Sequence, residues 1–136
     1  MSIHITGRYL GNKRVELKHG PTGSTIITDA PKDNNGEGTT FSPTDLVAAA
    51  LGSCMLTVMS IVAERDGVSL AGTHFEVTKA MVDQPRRIGA LPVVIHLPHA
   101  LSAEQRAKYE RVAKTCPVHH SINPMIEAEI GFVYDV

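Results

Sequence analysis

The chain has 136 residues, 43% of them hydrophobic and 20% charged, with a formal net charge of -1. That length and composition fit a single globular domain over 1–136 and disfavour intrinsic disorder. Thirteen basic against fourteen acidic side chains, no Trp and 4% aromatic content argue against nucleic acid as a partner, whether held by its phosphates or by base stacking.

Two cysteines, Cys54 and Cys116, are too few for a disulfide scaffold and spaced wrongly for a zinc ribbon. The opening residues Met1-Ser2-Ile3-His4-Ile5 show no basic region followed by an apolar stretch, so no secretory signal is read there. A cytoplasmic protein with reduced thiols is the expectation.

Residues 3–10 and 14–19 read as strands, the second with Val15 and Leu17 alternating with Glu16 and Lys18. The turn His19-Gly20-Pro21-Thr22-Gly23 leads to a return strand at 25–28. Residues 29–40 form a polar loop without a pattern.

Ser42-Pro43-Thr44-Asp45 starts a helix. Ser42 caps it, Pro43 suits its first position, and Asp45 reaches back as the acidic arm of a capping box. The helix is expected to run to about residue 66, where Gly67 supplies a left-handed end and Val68 or Leu70 folds back. The stretch 46–63 carries no charge, enough length to raise the question of a membrane span. Gly52, Ser53, Thr57 and Ser60 temper its apolarity, and no aromatic belt flanks it. A buried core helix is expected, and no membrane partner. Because this helix is apolar on every side, a small chain has too little else to cover it. A homodimer built around it follows.

Two strands are expected at 74–81 and 91–97, joined across 83–89, with Pro98 closing the second. Ser102-Ala103-Glu104-Gln105 opens an amphipathic helix ending near residue 114. Cys116-Pro117 opens a short third helix, and Asn123-Pro124 ends it. A final strand lies at 127–134, where Ala128, Ile130, Phe132 and Tyr134 alternate. The order predicts an α+β domain with antiparallel sheet.

Cys54 lies about three turns into the central helix, beyond the reach of its dipole. Burial alone makes such a thiol inert, so a nucleophilic role requires a cation from elsewhere. Cys116 precedes Pro117 at an N-cap position, with the N–H groups of residues 118 and 119 aimed near its sulfur. That environment lowers a thiol pKa, and local physics makes Cys116 the more acidic of the two. Cys116, His119 and His120 can also be read as half a zinc site. No pair among His4, His19, His74, His96 and His99 has a familiar ligand spacing, so no bound metal is expected.

The block Ser42-Pro-Thr-Asp-Leu-Val-Ala-Ala-Ala-Leu-Gly-Ser-Cys54-Met, followed much later by Cys116-Pro117-Val118, resembles the OsmC/Ohr family. That family comprises osmotically inducible protein C and the organic hydroperoxide resistance proteins. The likeness in element order covers almost the whole chain. Leu51-Gly52-Ser53-Cys54 looks more like the broader OsmC-like group than the hydroperoxide resistance branch.

The resemblance implies an OsmC-like fold, with antiparallel sheets wrapped around a long central helix in an intertwined dimer. It implies a thiol peroxidase, active in oxidative stress defence, that reduces organic hydroperoxides, with hydrogen peroxide as a further substrate, without metal, haem or other cofactor. Cys54 would be the peroxidatic thiolate and Cys116 the resolving thiol. A dithiol reductant, lipoyl-type in relatives, would reset the pair. The family holds its thiolate with an arginine from an N-terminal strand. Arg14 is the choice for that role, and Arg8 the reserve. Where the peroxidase branches carry a glutamate that orients this arginine, the chain has Thr44, with Asp45 beside it as a shorter substitute. That departure keeps a second reading open: a dimeric binding module for a small apolar or electrophilic ligand, its cysteines reactive but not peroxidatic.

Overall fold

Alternating side chains and tight turns make an antiparallel meander of the N-terminal residues. The computed structural model describes residues 1–136 and falls into two compact units, Met1–Val47 and Ala48–Val136. In the first unit β1 (Ile5–Gly11), β2 (Arg14–His19) and β3 (Thr25–Asp29) pair in the order β1-β2-β3. The β1–β2 reversal runs through left-handed backbone at Asn12 and Lys13, with φ of 55° and 63°, the primed-turn geometry that suits twisted hairpins. The turn after β2 closes with Gly23 N–H donating to the His19 carbonyl at 2.7 Å. The following polar loop contains one short 3-10 turn at Lys32–Asn34.

The central helix, α1 (Pro43–Arg65), begins with the expected capping box. Ser42 N–H donates to Asp45 Oδ2 at 2.9 Å, and Asp45 N–H donates to Ser42 Oγ at 3.1 Å. Gly67, with φ of 68°, ends the helix, and Val68 N–H returns to the Ala63 carbonyl at 2.9 Å. Ala48, Leu51, Gly52, Met55, Met59 and Ala63 form the buried stripe, at the spacing of one helix face. Ala50, Ser53, Thr57, Ser60 and Ile61 are exposed. The hydroxyls of Thr57 and Ser60 donate to the carbonyls of Ser53 and Thr57, both at 2.8 Å, so they satisfy themselves on their own helix. By length and composition α1 could cross a membrane, a test that the core helix of a soluble protein also passes.

The remaining strands depart from the expected pair. The expected strand at 74–81 is two, β4 (His74–Val77) and β5 (Ala80–Val82). The strand expected at 91–97 is preceded by β6 (Arg87–Ala90) and is itself the shorter β7 (Val93–His96). Pro92, with no N–H to give a ladder, separates them. β5 and β6 make a separate hairpin. The helices α2 (Ala103–Ala113) and α3 (Pro117–Ser121) follow, and then β8 (Ile130–Val133).

The second sheet has the order β4-β7-β8 and is not wholly antiparallel: β8 runs parallel to β7. The two-helix connection is long enough to return the chain to the starting end, which a hairpin cannot do. Ser102 and Gln105 form the capping box of α2. At its middle, Lys108 Nζ and the Tyr109 hydroxyl donate to Asp66 Oδ2 at 2.7 and 3.1 Å, tying α2 to the end of α1. Leu51, Met55, Met59, Leu91, Val93, Ile95, Leu97 and Tyr109 form the core, each side chain contributing about 1.5–3 kcal/mol by leaving water. The architecture is α+β, as expected.

Candidate active site

Cys54 lies on the shoulder of α1, half-buried, with the fully buried Leu51 and Met55 to one side and the exposed Ser53 to the other. Two residues earlier, Gly52 faces the Phe75 ring of β4, and a Cβ at Gly52 would overlap that ring. Glycine is therefore required here by close approach, and it lets β4 close onto the helix beside the thiol. Met55 and Met59, one helical turn apart, are fully buried core residues.

Cys116 is the N-cap of α3, with Pro117 at the first helical position. Its Sγ accepts from His119 N–H at 3.4 Å and donates to the Leu51 carbonyl of α1 at 3.9 Å. Its side chain is wholly buried, and both cysteines are free thiols. Burial pushes the Cys116 thiol above its ordinary pKa, and a hydrogen bond to Cys54 and the charge on Cys54 push it further. The N–H groups of His119 and Val118 act the other way and lose. The expectation that its cap position lowers the Cys116 pKa is thus overturned. The N-cap geometry is as anticipated, but desolvation outweighs it.

The other anticipated residues belong to the first unit. Arg14, in β2, pairs with Glu37 (Nη2 to Oε2, 3.0 Å) and with Asp29 (Nε to Oδ2, 3.6 Å). Asp29 is fully buried. The Thr39 hydroxyl, at 2.6 Å, and then the Thr39 N–H, at 3.0 Å, hold its carboxyl below the usual range, with the Arg14 charge assisting. Arg14 Nε is buried without a hydrogen-bond partner. Arg8 is exposed and pairs with Glu16 at 3.3 Å. The Asp45 carboxylate accepts from Ser42 in the helix cap, and Thr44 Oγ1 lies 3.2 Å from Ser42 Oγ. The rings of His119 and His120 stand edge to face, 6.1 Å apart.

Sequence reasoning identified both thiols but missed the groups that hold Cys116 and Asp29. The Leu51 carbonyl and the Thr39 donors leave no local signature. Asp29 did leave one, since the β2–β3 hairpin sets it directly opposite Arg14.

Residues 36–131 match the family model described as OsmC-like protein. Among solved structures, the chain is similar to a candidate osmotic stress induced and detoxification response protein from Psychrobacter arcticus 273-4. Identity is 39% and the TM-score 0.91, over 97% of this chain and 96% of that one. It also shares its fold with an organic hydroperoxide resistance protein OsmC from Legionella pneumophila, at 17% identity and TM-score 0.74 over 98% and 97% of the two chains. A candidate organic hydroperoxide resistance protein from Vibrio cholerae, with captopril bound in one of its active sites, matches at 19% identity and TM-score 0.76, over 97% and 91%. No curated protein matches. With the family model covering most of the chain and the thiol pair in place, the chain belongs to the OsmC-like family.

Proposed function

We propose that the chain is a thiol-dependent peroxidase acting on organic hydroperoxides, with hydrogen peroxide as a further substrate. The observation that carries the reading is the placement of two free thiols, the half-buried Cys54 and the buried Cys116, whose Sγ lies 3.9 Å from the Leu51 carbonyl one turn before Cys54. The names of the Legionella and Vibrio relatives support it.

The Cys54 thiolate attacks the distal peroxide oxygen. The O–O bond breaks, an S–O bond forms, and sulfur gives up two electrons. The leaving alkoxide takes a proton and departs as an alcohol, or as water from hydrogen peroxide. The Cys116 sulfur then displaces hydroxide from the Cys54 sulfenic acid, and its own proton completes a water molecule. A dithiol of lipoyl type reduces the disulfide and becomes a cyclic disulfide itself. The cation assigned to the thiolate on the family resemblance is Arg14, whose guanidinium keeps its charge when partly buried. Asp45 stands in for the orienting acid.

A second copy of the chain completes the site. The exposed face of α1, with Ile61 among its residues, and the exposed Ile5, Tyr9, Ile26 and Ile27 of the first unit supply the apolar surface a homodimer covers. A reducing, cytoplasmic compartment suits the free thiols.

Peroxide consumption with a dithiol reductant tests the reading. Cys54→Ser is expected to be inactive. Cys116→Ser is expected to turn over once and leave a sulfenic acid that dimedone traps. If Cys54→Ser is as active as the parent, the assignment is lost. Thr44, which offers no carboxylate, favours the second reading, a binding module. In that case the thiols alkylate but no peroxide is consumed.

A further inference from the structure

We propose that His74, Glu76 and His96 form a divalent metal site, best matched to zinc, independent of the thiol pair. One donor atom from each of these side chains lies within 4.8 Å of the others.

The strand register builds the cluster. His74 and His96 are directly opposite in the antiparallel β4–β7 ladder, and Glu76 follows His74 by two residues on the same face. The buried Val93 and Ile95 and the half-buried Phe75 and Val77 point to the other face. The ladder therefore holds all three Cα positions in place, and only side-chain torsions are left to adjust.

One ring nitrogen of each histidine is already committed. His74 Nδ1 is 2.9 Å from the Gly72 carbonyl. A carbonyl only accepts, so Nδ1 carries the hydrogen and neutral His74 keeps its lone pair on Nε2. His96 Nδ1 is 3.0 Å from both carboxylate oxygens of Asp135, which places a hydrogen on that nitrogen. Carbonyl and carboxylate partners on the far nitrogen are the usual outer support of metal-bound histidines.

His96 Nε2 is then left facing Glu76 Oε1 at 3.3 Å, buried and without a hydrogen-bond partner. Either a proton on Nε2 or a metal ion can join these two groups, and a metal ion also engages His74. Zinc bonds of about 2.0–2.2 Å to nitrogen and oxygen place tetrahedral neighbours about 3.3–3.5 Å apart, so this edge already has the required length. The two imidazole rings lie stacked, 4.5 Å apart and 4° from parallel. The exposed His74 turns out of that stack to bring its Nε2 to the metal. Two histidines and one carboxylate leave a fourth position for water.

The test is a titration of reduced, metal-free protein with zinc chloride, in competition with a chromophoric chelator. One equivalent is expected to bind. His74→Ala and Glu76→Gln should each weaken binding by at least about tenfold, and Asp135→Asn by about tenfold, while Cys54→Ser leaves it unchanged. Zinc should raise the melting temperature of the parent but not of His74→Ala, whose metal-free melting should match the parent's because His74 is exposed. Cobalt bound in place of zinc should show no thiolate charge-transfer band. Less than one equivalent bound by the parent, binding indifferent to His74→Ala, or binding lost with Cys54→Ser would each overturn the proposal. None of these outcomes bears on peroxide consumption.

Discussion

From the cap of α3, Cys116 Sγ reaches the Leu51 carbonyl of α1 at 3.9 Å, three residues before Cys54, and burial first, then the nearby Cys54, pushes its pKa upward. Removing Cys54 is therefore expected to change the titration of Cys116.

In Cys54→Ala the hydrogen bond and the charge that push Cys116 upward are gone, and burial remains. Cys116 is expected to titrate lower than in the parent, yet still above the ordinary thiol value of about 8.5. Iodoacetamide rates against pH, read by mass spectrometry, check this. An unchanged Cys116 profile would mean that the sulfurs do not interact in solution.

Arg14→Ala tests the cation assigned to Cys54. The pH profile for Cys54 alkylation is expected to move upward, with peroxide turnover falling in parallel. A profile that does not move leaves Arg14 with only its structural partners, Asp29 and Glu37.

Gly52→Ala should destabilise the protein. Alanine gains about 1 kcal/mol over glycine in a helix interior, but its methyl group meets the Phe75 ring. Overpacking typically costs about 1–3 kcal/mol, so the loss outweighs the gain. A lower urea midpoint, with the slope unchanged, is the expected result.

Thr39→Val addresses acid stability. The Asp29 pKa is depressed in the fold, chiefly by the two donors of Thr39. Such a group stabilises the fold above its unfolded pKa of about 3.9, and the effect is lost as pH falls through the lower folded value. The variant should be less stable than the parent at neutral pH, and the gap should close below about pH 4. Urea midpoints measured across that range decide it.

The first half of the chain was largely legible because local rules govern it. Val15 and Leu17 alternate, Gly23 turns the chain, and Ser42 with Asp45 caps the helix that carries Cys54. The second half was less so. Pro92 divides what reads as one apolar run, and the parallel placement of β8 depends on how two helices pack, which no local pattern encodes. The acidity of Cys116 was misjudged because its cap is a local feature, whereas its burial under α1 is not. His74 and His96 looked unrelated for a similar reason: only the β4–β7 register makes them neighbours.

Cys116 also makes the start of α3 sensitive to oxidation. As a thiol, the sulfur both accepts from His119 N–H and donates to the Leu51 carbonyl. Once joined to Cys54 it has no hydrogen to give, and the Leu51 carbonyl loses its second donor while the helix cap keeps its acceptor. Amide signals around residues 51 and 119 should thus differ between the reduced and disulfide forms, so that a five-residue helix records the electron count of the protein.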